Sequence, residues 1–225
     1  MRAIRGTVMG ELARWRPSLV EAIAQREGRE AAEAICDDAA QRLDAMLDSI
    51  PDAGWTAPHM RAFTIGGAIY VATYLALVPR GYDAARAWDV CEAATRARFA
   101  GMRGMERSMA ANGLFVWPMK ALSRWIAKRS HEAPVGGWVF DFVEGEPGTF
   151  EYGVDYKRCA IRELAIANGA AEFAPYICLA DVPGSEVFGW GLTRTETIAQ
   201  GGSRCDFRFQ RGAETRVRVK LPITR

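Results

Sequence analysis

The apolar positions of this chain change their period once along its length. In the first 134 residues they recur at helical spacing, with Leu19, Ile23, Ala34, Ile35, Leu43 and Leu47 forming one stripe. Pro17 with Ser18 suits a first turn, so one helix is predicted from there to about Leu47. Two prolines and a glycine between Ser49 and Pro58 predict a loop. A second helix is predicted over Met60–Val78. Pro79, Gly81 and Asp83 then turn the chain into a third, over Asp83–Met109. Asn112 and Gly113 end that helix, and Met119–Lys128 forms a short fourth.

Beyond Pro134 the pattern becomes that of strands. Trp138–Val143 and Phe150–Tyr156 are predicted strands, joined by the turn segment from Glu144 to Gly148. Cys159–Ala167 has helical character and stops at Asn168 and Gly169, a good C-cap pair. Glu172–Ala180 is predicted as a helix broken at Pro183 and Gly184. Leu192–Ala199 alternates like a strand, Gly201 and Gly202 are predicted to form a hairpin turn, and Arg204–Arg211 returns. The tail from Arg216 to Arg225 alternates but contains Pro222, which suits an edge strand or a loose arm.

Composition sharpens this division. Residues 1–134 hold 28 alanines and residues 135–225 hold 9, so the helical part is also the alanine-rich part. The expected organisation is a helical part over 1–134, an α+β part over 135–212 and a basic tail over 213–225, within one integrated body. The expected fold class is α+β, with the alanine-rich helices packed on a small antiparallel sheet and two helices. The 18 uncharged residues from Ala62 to Pro79 are at the short limit for a membrane span. Two adjacent glycines and a terminal proline within them favour a buried core helix, and no membrane is expected as a partner.

Charge removes other classes. The net charge is +2, with no basic run or stripe, so no nucleic-acid partner is expected. Two histidines exclude a histidine-rich metal cage. The five cysteines are widely spaced and odd in number, with no CxxC pair. The first residues lack an apolar leader segment, so a cytoplasmic protein with reduced thiols is expected. The spacing says nothing decisive about oligomeric state, and a homo-oligomer stays open.

Candidate chemistry concentrates in the second part. Cys159 sits where a strand becomes a helix, a position that favours thiolate, with Glu163 one turn on. Cys178 and Asp181 are three residues apart. Cys205 follows the glycine pair, where Cys205, Phe207 and Phe209 share one strand face and Asp206 and Arg208 the other. Cys36 and Cys91 lie on alanine-rich helices and are expected to be small apolar filler. His59 and His131 fall in loop-like context and are expected to face solvent.

These pieces together resemble the L-2-amino-thiazoline-4-carboxylic acid hydrolase family. The resemblance rests on Arg158, Cys159 and Ala160 with Glu163; on Gly169, Glu172 and Pro175; on Cys178 with Asp181; on Arg194, Thr195 and Thr197; and on Gly201 and Gly202 followed by the run from Cys205 to Phe209. Ala160 stands where many members carry proline. The resemblance implies a hydrolase that opens a five-membered cyclic amidine, or an amide, carrying a carboxylate, by adding water at the carbon between nitrogen and sulfur. It implies catalytic roles within the set Cys178, Cys159, Cys205, Asp181 and Glu163, and substrate binding by Arg158, Arg194, Arg208 or Asp206. The residues leave the nucleophile unassigned. The expected partner is a small-molecule substrate, and no cofactor is expected. Two alternatives compete: zinc held by three thiolates and a carboxylate or histidine, and a non-catalytic ligand- or metal-binding module similar to the vinyl-4-reductase-type domain, whose pocket the seven tryptophans would line.

Overall fold

A computed structural model describes residues 1–54 and 56–218 of the chain. The helices α1 (Arg5–Glu27), α2 (Arg29–Ala45), α3 (Pro58–Leu77), α4 (Ala84–Gly101), α5 (Gly104–Asn112) and α6 (Trp117–Glu132) precede the strands β1 (Val139–Glu146) and β2 (Phe150–Arg158). Then follow α7 (Ala160–Ala167), α8 (Ala174–Ile177), α9 (Asp181–Phe188), β3 (Leu192–Arg194), β4 (Cys205–Phe209) and β5 (Arg216–Val217). The fold is α+β with a helical N-terminal part. The expected edge strand or arm over the last residues lies largely outside the described residues, of which β5 is the final element.

The centre of the helical layer is α3. Pro58 occupies its first turn, where no backbone N–H is needed, and most residues from Thr64 to Leu77 are buried. Among the described residues, the helix Pro58–Arg80 alone is long and apolar enough to cross a membrane (mean hydropathy 1.6), and 67% of its apolar window is buried inside the fold. The helices α1, α2 and α4 pack around it. Asp83 caps α4 by accepting a hydrogen bond from the Arg86 N–H at 2.8 Å.

The strands form one sheet in the order β1-β2-β4-β3-β5. The expected antiparallel pairing holds for the first four, while β5 joins β3 in parallel, so the sheet is mixed. Cross-strand register places Tyr156 opposite Cys205, Val154 opposite Phe207 and Tyr152 opposite Phe209. Those side chains, with Phe140, share the face turned toward α3. The Trp138 indole N–H donates to Thr64 Oγ1 at 3.0 Å and ties the sheet to that helix.

Several local expectations are corrected. Pro17 lies inside α1, and the break between α1 and α2 is at Gly28, whose φ of +82° suits glycine. The long third helix divides at Met102 and Arg103, which are extended. Pro183 does not break a helix: it is the third residue of α9, where its missing N–H removes no intrahelical bond. The strand predicted over Leu192–Ala199 ends at Arg194. Asp206 accepts hydrogen bonds from the Thr195 N–H at 2.9 Å, the Glu196 N–H at 2.7 Å and the Thr195 hydroxyl at 2.6 Å. These bonds bend residues 195 and 196 off the ladder, so a wide loop replaces the predicted tight hairpin.

Candidate functional site

A cavity of about 560 Å³ separates the inner sheet face from the helices. Its floor is β2 and β4, presenting Tyr152, Val154, Tyr156, Cys205, Phe207 and Phe209. Its roof is α3 with residues of α7 and α8. Gly67 of α3 lets α7 approach so closely that a Cβ there would lie 2.6 Å from Ile161 Cγ2.

The cavity brings together Cys159, Cys178, Cys205, Asp181 and Arg194. Cys159 is the N-cap of α7, Cys178 ends α8, Asp181 begins α9, Arg194 closes β3 and Cys205 opens β4. Cys178 and Asp181 therefore belong to two short helices rather than one helical face, and a turn through Leu179 and Ala180 aims both inward. Arg194 is only 1% exposed, and its Nη1 donates to Asp181 Oδ2 at 3.1 Å. Its Nη2 donates to the Cys178 carbonyl, and its guanidinium lies 4.9 Å from the Phe207 ring centre. Its Nε–H has no hydrogen-bond partner among the described residues.

Burial decides the protonation of this cluster. It raises Asp181 above the ordinary carboxylate range, and the opposing charge of Arg194 only moderates the shift. The Asp181 side chain is nevertheless 43% open. Asp181 lines the cavity. Cys159 is pushed up to about 12: its desolvation outweighs the N–H groups of Arg162 and Ile161 that favour its thiolate. The helix N-terminus alone thus does not make Cys159 a thiolate. Burial also raises Cys178, reinforced by Cys159 and Cys205, and raises Cys205 against a hydrogen bond from the Ile198 N–H at 3.2 Å.

Other candidate residues stand elsewhere. Arg158 donates to Glu163 at 2.7 Å in a half-exposed pair, and neither lines the cavity. Arg208 donates to Asp155 at 2.7 Å on the opposite sheet face. Asp206 shares that face; burial works against its charge, but the bonds from Thr195 and Glu196 hold it below the ordinary range. It organises the loop that follows β3. Cys36 and Cys91 are buried in the helical core, the former pushed up to about 11 by desolvation. Among the described residues, no group of three or more His, Cys, Asp or Glu side chains is arranged to hold a metal ion.

Several residues outside the sequence-based set also face the cavity, among them Glu11, Arg61, Arg162 and His59. Arg162 lies one position before Glu163, so the helical turn that sends Glu163 outward sends Arg162 inward; it makes no ion pair among the described residues. His59, expected in a solvent-facing loop, lies in the first turn of α3 on the cavity wall. Neither of its ring nitrogens has a hydrogen-bond partner among the described residues, and desolvation lowers its pKa. The apolar run from Ala62 was the available signal for His59, because a helix that begins at Pro58 includes it.

The profile described as L-2-amino-thiazoline-4-carboxylic acid hydrolase matches residues 62–209, about two thirds of the chain. The matched segment runs from the second turn of α3 to the end of β4 and so contains the whole thiol, carboxylate and arginine cluster. No curated protein and no solved structure matches the chain.

Proposed function

We propose, from the premise that this chain belongs to the L-2-amino-thiazoline-4-carboxylic acid hydrolase family, that it hydrolyses a carbon–nitrogen bond system in a cyclic amidine or amide bearing a carboxylate. The supporting observation is the Arg194–Asp181 pair, held beside three thiols in one cavity. A non-catalytic apolar module has no need of a carboxylate whose charge opposes burial.

Each group has a role suited to its surroundings. Arg162, with no ion pair of its own among the described residues, receives the substrate carboxylate. One thiol of Cys159, Cys178 or Cys205 adds to the ring carbon between nitrogen and sulfur, the ring carbon–nitrogen bond breaks, and water then adds to that carbon and expels the thiol; in the non-covalent form of the step, water beside the thiol adds directly and the same bond breaks. The proton given up by the thiol or water passes through Asp181 to the departing ring nitrogen, a task favoured by a carboxylate with a raised pKa. Arg194 fixes Asp181 and the Cys178 carbonyl in place. The free thiols suit a reducing, cytoplasmic setting.

The test is turnover of L-2-amino-thiazoline-4-carboxylate by the single variants Cys159→Ser, Cys178→Ser and Cys205→Ser. At least one is expected to lose activity by a hundredfold or more while melting like the parent protein, on the order of the usual effect of removing a positioned nucleophile or proton carrier. Full turnover by all three would eliminate covalent thiol catalysis.

A further inference from the structure

The cavity is larger than an amino-thiazoline carboxylate requires. An apolar cavity of about 150 Å³ takes one benzene, or roughly 25 Å³ per non-hydrogen atom. At that ratio the roughly nine non-hydrogen atoms of the ring substrate fill about 225 Å³. The cavity measures about 560 Å³. The remainder has room for roughly a dozen further atoms.

The floor has two unlike ends. At one, Cys205 faces Tyr156 across the strands, beside Asp181 and Arg194. At the other, Tyr152 stacks on Phe209 with ring centres 5.1 Å apart, and Trp190 and Leu114 also line the cavity. The Trp190 indole N–H is already committed to the Ala110 carbonyl at 2.9 Å, so it offers a ligand apolar surface. Four residue-to-residue steps along β4, from Cys205 to Phe209, separate the ends by about 13 Å. The small ring cannot reach both.

We infer that the substrate is an amphiphile: a carboxylate-bearing cyclic amidine or amide joined to an aliphatic or aromatic arm of about ten to twelve atoms. The arm lies along Val154 and Phe207 toward Tyr152 and Phe209. This rests on the hydrolase reading above for the polar ring, whereas the arm rests on the shape of the cavity alone.

The test titrates the full chain with octanoate, decanoate and dodecanoate by calorimetry. Burying one methylene strengthens binding by about fourfold, so the four methylenes that separate dodecanoate from octanoate are expected to tighten binding by roughly 250-fold. Val154→Trp, in mid-floor, is expected to flatten that dependence, and Leu114→Trp provides a second obstruction should the first variant misfold. Equal affinities for the three carboxylates, absence of saturable binding, or an undiminished dependence in a folded obstructed variant would overturn the inference. Turnover of the thiazoline is measured in parallel. Turnover without chain-length dependence removes the arm and leaves the hydrolase. Chain-length dependence without thiazoline turnover supports the arm and removes that ring as substrate.

Discussion

Gly66 and Gly67 are adjacent in α3, yet their replacement by alanine is expected to change stability in opposite directions. A Cβ at Gly66 meets nothing within 4 Å. Gly66→Ala therefore gains the helix preference of alanine over glycine, about 1 kcal/mol in a helix interior. A Cβ at Gly67 lies 2.6, 2.7 and 2.9 Å from three side-chain atoms of Ile161, closer than packed carbons approach. Ile161 is β-branched and stiff, so it cannot simply swing aside. Overpacking costs about 1–3 kcal/mol, which exceeds the same propensity gain, and Gly67→Ala is expected to be destabilising by about 1 kcal/mol net. For a chain of this size that lowers Tm by about 2–4 °C, while Gly66→Ala raises it by a similar amount. Ile161 also stands two residues after Cys159, so the displaced α7 carries that thiol with it, and thiazoline turnover should fall in Gly67→Ala alone. Urea denaturation of both variants and of Gly67→Ala with Ile161→Ala measures the effect. Shifts of the same sign at both glycines, or no relief from trimming Ile161, would refute the close approach of α3 and α7.

Three further predictions concern charge. Arg162→Gln is expected to raise KM for the thiazoline carboxylate by roughly tenfold to a hundredfold, with a smaller change in kcat, because a charge-assisted hydrogen bond contributes about 1.5–3 kcal/mol; unchanged steady-state constants would remove Arg162 from substrate binding. The raised pKa of Asp181 means that folding is favoured by its protonated form, so its contribution is lost as pH rises from about 4 through the raised folded value. The Tm of Asp181→Asn should therefore gain on the parent across that window, and parallel Tm curves would contradict it. Asp206 is depressed, so its contribution is present above about pH 4 and lost as pH falls through its lower folded value. Asp206→Asn should be destabilised at pH 7, by about 2 kcal/mol for its charged hydrogen bonds, and that gap should close in acid when followed by thermal melts.

The helical and strand parts were legible because each repeats its own apolar period, and the change after Pro134 falls between α6 and β1. The boundaries that failed were set by contacts remote in sequence. Nothing in the sequence beside Thr195 announces that Asp206 will gather its N–H and end β3. Pro183 follows Asp181 closely enough to open a helix or to close one, and the two outcomes have the same local pattern. In the site, the three thiols and Asp181 were legible as separate pairs, but their common cavity depends on how β3, β4, α7 and α8 meet. Arg158, Arg208 and Arg194 are equally basic in sequence. Tertiary packing alone gives the first two carboxylate partners outside the cavity and turns the third inward. The same limit hid Arg162 behind its neighbour Glu163.

The raised thiols bear on how the proposed reaction begins. Desolvation pushes Cys159 up to about 12 and raises Cys178 and Cys205, so the chain's own groups favour the thiol form of all three. Arg194 offsets part of this for Cys178 and Cys205, but it already faces Asp181. A protonated cyclic amidine brings a cation into the same low-dielectric space. Its charge favours the thiolate over the thiol and the carboxylate of Asp181 over the acid, the reverse of what burial does. Under the proposed mechanism, ionisation of the nucleophile is then coupled to ligand binding, and without a cationic ligand the thiols are expected to react slowly with oxidants and electrophiles. This coupling separates the amidine from the amide within the proposed substrate class. A neutral cyclic amide supplies no such cation, so with the same carboxylate and arm it should bind comparably through Arg162 and turn over more slowly. Iodoacetamide labelling provides the direct readout: an unreactive substrate-like amidine should accelerate alkylation of the nucleophilic cysteine, provided the reagent still has access, whereas the matching amide should not. Equal acceleration by both, or rapid labelling of the empty protein, would show that the thiol is activated by the chain rather than by its ligand.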